Sequence, residues 1–151
     1  MRIAPLACAL IGCAYQPGSF AHAPSGADGQ RVTVGCLDLA VERRADLEIG
    51  PVLDYHFANR CDHPQIVDLG TVAVVGRSAE RGDVPLSPYD PRGELHPVAL
   101  DGRNVGGEAL AYPAAHEILE VCVDVATLIH RGSPRWLCFG RAPRPVVGGV
   151  P

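Results

Sequence analysis

Between Leu119 and Val125 apolar and polar side chains alternate: Leu119, Val121, Val123 and Val125 fall on one parity, Glu120, Cys122 and Asp124 on the other. A period of two belongs to a strand with one buried and one wetted face. A helix would also bring Ile118, Cys122 and Val125 together, but the density of β-branched residues favours the strand. Similar short runs recur at Val32 to Val41, Pro51 to Asn59, Gln65 to Val75, Glu94 to Leu100, Glu108 to Tyr112 and Arg135 to Phe139. Clusters of Gly, Pro, Asp and Asn divide them, and no amphipathic helix intervenes. About seven strands so spaced predict an all-β fold, an antiparallel two-sheet sandwich with Greek-key connections, over residues 31–140. A partly open barrel is the alternative.

The flanks read differently. Residues 13–30 carry Gly, Pro, Ser and Ala without a period, the composition of a flexible linker. Residues 141–151, with three prolines and little apolar content, read as a disordered tail. The predicted domain resembles immunoglobulin-like modules of bacteria in architecture only. It contains no family motif, and the single tryptophan, Trp136, lies in the last run rather than at a core position.

Residues 1–13, MRIAPLACALIGC, have one Arg, a short apolar stretch from Ile3 to Gly12 and a cysteine, the layout of a secretory signal. As a helix the stretch would be about 15 Å long, half of a hydrocarbon core, too short for a stable span. Leu10, Ile11, Gly12 and Cys13 resemble the lipobox of bacterial prolipoproteins, in which aliphatic and small residues precede the cysteine that receives diacylglycerol. The resemblance implies removal of a signal peptide, residues 1–12, and acylation of Cys13. Because Ala14 rather than Asp follows, it also implies an outer-membrane lipoprotein of the bacterial cell envelope. Cleavage after Ala21, His22 and Ala23, giving a secreted or periplasmic protein, is the alternative, disfavoured by Pro24 directly after the cut.

All 13 basic residues are Arg, and 17 acids leave a formal charge of -4, so no basic footprint for nucleic acid exists. Six cysteines are present. Cys8 is expected to leave with the signal and Cys13 to carry lipid. In an oxidising compartment Cys36, Cys61, Cys122 and Cys138 then predict two disulfides, with three possible connectivities. Cys122 opposite Cys138 sets Val123 against Leu137 and Val121 against Phe139, which puts apolar residues together on the inner face, and leaves Trp136 over Asp124 on the outer face with the disulfide. Cys36 with Cys61 is the matching choice, although Leu39 and Val41 then run one residue out of step with Tyr55 and Phe57 unless a bulge intervenes near Gly35 or Arg60. Zinc ligation by the four is disfavoured, since no C-x-x-C occurs.

The densest polar stretch holds His56, Asp62 and His63, from which a metal or acid/base site would be drawn. The competing reading is a solvated strand face followed by a turn, and no metal or cofactor is expected. His96, His116 and His130 have no partner at ligand spacing. No G-x-S-x-G, H-E-x-x-H, P-loop or G-x-G-x-x-G occurs, which disfavours an enzyme. The stretch from Arg77 to Gly93 reads as one long connection, a recognition loop offering Arg81, Tyr89 and Arg92 or a proline-braced crossover. The expectation is a non-enzymatic accessory or protein-binding module, held to a membrane by its lipid and partnered by another envelope protein. A small-ligand or metal-binding lipoprotein, or a protease-inhibitor-like module, is the alternative.

Overall fold

The computed structural model describes residues 30–44, 46–129 and 132–141, so the expected signal peptide, Cys13, the expected linker up to 29 and nearly all of the expected tail lie outside the described residues. Ten strands run through them: β1 (Gln30–Val34), β2 (Leu37–Arg43), β3 (Val52–Asn59), β4 (Gln65–Val67), β5 (Ala73–Ser78), β6 (Gly82–Leu86), β7 (Val98–Leu100), β8 (Val105–Ala111), β9 (Ile118–Asp124) and β10 (Trp136–Gly140). They form a first sheet of order β1-β2-β3-β8, a second of order β10-β9-β5-β6 and a small third sheet, β4-β7. All strand pairs are antiparallel.

Ten strands in three sheets replace the seven in two read from sequence, because local turns cut two of the runs and a further strand forms inside the expected long loop. Gly35, at φ 62°, turns the chain with Cys36, so the run from Val32 to Val41 is two strands. The Asp68 carboxylate accepts the Gly70 N–H at 3.0 Å, an Asx turn that ends β4 and separates it from β5. Gly82, at φ 70°, begins β6 inside the expected long loop, which is therefore a β5–β6 hairpin followed by a shorter connection. At the start of β9 the pairing with β5 slips between Arg77 and Ser78, so Ile118 takes the buried position and Leu119, expected inside, is exposed.

Both disulfides join the expected partners, Cys36 to Cys61 and Cys122 to Cys138. The β9–β10 register sets Cys122 against Cys138, Val121 against Phe139 and Trp136 against Asp124, as the spacing predicts. In β2–β3 the apolar residues do face each other, Leu39 against Phe57 and Val41 against Tyr55. No bulge interrupts that ladder. The slip of one residue is taken up beyond it, where the Arg60 N–H donates to the Cys36 carbonyl at 2.8 Å and Cys61 is displaced one place further.

Side chains of the two larger sheets belong to one buried apolar cluster, which includes Leu39, Val41, Leu53 and Phe57 from the first and Val74, Val121, Val123 and Phe139 from the second. Two polar devices sit within it. The Tyr55 and Tyr112 hydroxyls share a 2.6 Å hydrogen bond, and both residues are fully buried. Burial raises the Tyr55 phenol well above its ordinary value and pushes Tyr112 up to about 12. A phenol held protonated in the fold but free to ionise at about pH 10 when unfolded contributes stability that is present below that pH and lost above it. Stability is thus expected to fall as pH rises from about 10 toward 12, by up to roughly 1.4 kcal/mol per pH unit for each phenol. Urea midpoints across that range check it, and Tyr112→Phe should flatten the decline.

The second device is Arg43, which ends β2 and is 4% exposed. Its guanidinium pairs through two bonds with Asp46, at 3.1 and 2.8 Å. It also donates to the Ile118, Leu119 and Phe139 carbonyls at 2.8, 3.1 and 3.3 Å, tying the first sheet to β9 and β10.

Candidate functional site

Residues singled out by sequence do not assemble where expected. His56 lies on β3, and Asp62 and His63 lie in the turn after it, but the three do not bring their ligand atoms together. Asp62 accepts from Arg103 at 2.7 Å, and that hydrogen bond holds its carboxyl below the ordinary range. His63 is exposed, near the Cys36–Cys61 bridge, whose sulfurs are committed to each other. His116 has a partner the sequence did not show, Glu80, at 2.9 Å. His96 is exposed, and His130 lies outside the described residues. Arg81 is exposed on the β5–β6 hairpin, and Tyr89 and Arg92 sit in the following connection, with Arg92 3.5 Å from Glu94.

The sheet edges differ more informatively. An edge strand presents unpaired N–H and C=O groups, and proteins usually shield them. The edges of β1 and β10 are tied together by side chains: the Gln30 amide donates to the Cys138 carbonyl at 2.7 Å, and Arg135 donates to the Thr33 carbonyl at 3.2 Å. The edge of β6 carries Pro85, which has no N–H to offer. By contrast β8 is exposed from Val105 through Ala109, with two glycines, Gly106 and Gly107, in its middle.

The phase of the β3–β8 ladder fixes which groups face outward. The Tyr112 N–H donates to the Pro51 carbonyl at 2.8 Å and the Asn59 N–H to the Asn104 carbonyl at 2.9 Å. Between these two rungs Leu110, Glu108 and Gly106 bond to Leu53, Tyr55 and Phe57, by the alternation of antiparallel pairs. Val105, Gly107, Ala109 and Ala111 therefore turn their peptide groups away from the sheet. The Val105 N–H is capped by the Asn104 side chain at 2.9 Å, and the Ala111 carbonyl accepts the Tyr89 N–H at 2.8 Å. The outward groups of Gly107 and Ala109 have no partner among the described residues. A Cβ at Gly107 would come within 2.7 Å of the Tyr55 carbonyl oxygen, so close approach of β3 requires glycine there and leaves the edge bare.

Beside this edge lies a cleft of about 270 Å³. Phe57, Val67, Leu69 and Leu100 give it apolar walls, Gly106 comes from β8, and Glu94, His96 and Glu108 are polar residues around it. Asn59, fully buried at the end of β3, shapes it. Its amide donates to the His63, Leu100 and Asp101 carbonyls at 2.8, 2.9 and 3.1 Å, and its carbonyl accepts the Cys61 N–H at 2.9 Å, so the third sheet is fastened to the first. The sequence places Asn59 only at the end of an apolar run; its use as a buried hub has no signature in one dimension.

A second hollow, of about 290 Å³, lies over the Cys122–Cys138 bridge, between Trp136, Val75 and the Arg77–Asp83 pair. Arg77 is already held by Asp83 at 3.0 Å and Glu120 at 2.9 Å, which leaves its charge satisfied. On the outer face of β3, one Asp54 carboxylate oxygen pairs with Arg44, while its other oxygen and His56 Nε2 are buried without a hydrogen-bond partner. Those two residues sit directly across from Ala109 and Gly107 of β8. No family model, curated protein or solved structure matches the chain.

Proposed function

We propose that this protein is an exported, lipid-anchored module of the bacterial cell envelope that works by binding another envelope protein rather than by catalysis. The observation that carries the binding part is the open edge of β8 beside an apolar cleft, while the other outer edges of the two larger sheets, at β1, β10 and β6, are tied or blocked. Two disulfides support an oxidising compartment. The lipobox-like run ending at Cys13 supports an anchor and an outer-membrane location, with secretion as the alternative. We read the two larger sheets as facing layers of an immunoglobulin-like sandwich, supported by the single cluster to which both contribute. The likeness stops at architecture, because the first three strands form a meander within one sheet.

Metabolic labelling with palmitate, combined with membrane fractionation of the full chain and of Cys13→Ser, tests the anchor. Label and membrane association are expected to vanish in the variant, and their persistence would contradict the anchor. Replacing the stretch from Ser78 to Asp90 is a poor test of binding, since it would delete β6. Capture of envelope proteins should instead compare the full chain with a variant altered on β8. The same cleft supports a second reading, binding of a small apolar ligand, because its volume approaches the lower range of ligand pockets, about 300 Å³.

A further inference from the structure

We infer that the β8 edge binds an extended peptide strand by β-augmentation, and that the preferred strand alternates apolar and cationic side chains; this rests on the binding-module reading above. The backbone of the edge dictates the shape of its partner. Gly107 and Ala109 each offer an outward N–H and C=O, spaced by two residues, and only another extended chain matches that repeat. The Tyr89 N–H bonded to the Ala111 carbonyl already occupies one end, so the incoming strand lies against Val105 to Ala109.

Side chains around the edge dictate the composition. On one face of β8, Glu108 and Gly106 border the cleft walled by Phe57, Val67, Leu69 and Leu100, which takes an apolar side chain at every second position of the visitor. On the other face Gly107 and Ala109 are too small to shield the strand behind them. There Asp54, paired through one oxygen with Arg44, keeps its other oxygen buried and without a donor, and an Arg of the visitor lying over Ala109 would supply one. Glu108, for which no ion pair occurs among the described residues, adds negative charge on the cleft side. A second copy of this chain fits less well, because it would bring the same acidic edge and a chain of formal charge -4.

The test uses the full-length protein and a labelled synthetic peptide in which Val and Arg alternate, with binding read by fluorescence anisotropy at low and high salt. Saturable binding that weakens with salt is expected, with at least about a tenfold preference over a Val and Glu peptide. Ala109→Pro removes an outward donor without taking a bond from β3 and should abolish binding. Glu108→Arg should weaken it by about tenfold while leaving the backbone edge intact. N-methylation of alternate peptide amides probes the same hydrogen bonds without altering the protein, and one of the two methylation phases should eliminate binding.

Binding indifferent to Ala109→Pro and to both methylation phases would overturn the edge assignment, and leave a binding module that uses another face. A concentration-dependent dimer that Ala109→Pro dissolves would also overturn it, in favour of a second copy. No binding of either peptide by folded protein overturns the inference as well, while specific capture of one envelope protein unaffected by changes on β8 would keep the broader reading.

Discussion

Reduction of both disulfides is expected to unfold the domain without added denaturant near physiological temperature. The bridges close sequence separations of 25 and 16 residues. In the chain-entropy description such loops contribute about 3.5 and 3 kcal/mol by restricting the unfolded chain. A domain of this size has roughly 5–15 kcal/mol in total, so losing both removes a large part of its stability. Far-ultraviolet circular dichroism with and without a thiol reductant checks this. Replacing Cys36 and Cys61 by Ala should lower the urea midpoint somewhat more than replacing Cys122 and Cys138, because the first loop is longer. An unchanged midpoint in the reduced protein would contradict the expectation.

The second large effect is expected at Arg43. Arg43→Met replaces a side chain that is 1% exposed, leaves three carbonyls without their donor and leaves the Asp46 carboxylate with Arg141, at 3.8 Å, in place of its two-bond partner. Removing one partner from such a buried ionic node typically costs about 3–5 kcal/mol. Arg43→Lys keeps the charge but not the planar fork that serves Asp46 and the carbonyls together, so it should recover only a fraction. Asp46→Asn should cost less, about 1–2 kcal/mol, because Asp46 is one-fifth exposed and Arg43 retains its carbonyl acceptors. The three urea midpoints should therefore rank Asp46→Asn, Arg43→Lys, Arg43→Met from highest to lowest.

Much of the fold is legible along the chain wherever a short-range rule decides. Period-two alternation places β3, β9 and β10 within a residue or two, and matching apolar residues across Cys122 and Cys138 yields the actual register. Reading fails where a turn is made by one residue inside an apolar run. Gly35 and Asp68 each break a segment whose flanks look continuous, Gly82 starts a strand inside what reads as a loop, and the slip opposite Arg77 exchanges Ile118 and Leu119 between inside and outside. The candidate site is harder still. His56, Asp62 and His63 look promising because they are near in sequence, whereas the β8 edge stands out only once the other outer edges of the two larger sheets are seen to be tied or blocked by Gln30, Arg135 and Pro85. Arg43 reads as an ordinary surface charge until the carbonyls of β9 and β10 come into view.

Both cross-links stay within one sheet's strands and turns: Cys36, in the β1–β2 turn, joins Cys61 just past β3, and Cys122 of β9 joins Cys138 of β10. Antibody domains instead stitch one layer to the other. Here each half is covalently reinforced, while the seam between the halves is held by apolar contact, by the chain connections and by side-chain hydrogen bonds from Arg43, Gln30 and Arg135. Tension applied across that seam, for instance by a tethered partner pulling on β8, would meet no disulfide, and the two layers could part as intact pieces and close again with every cysteine pair preserved.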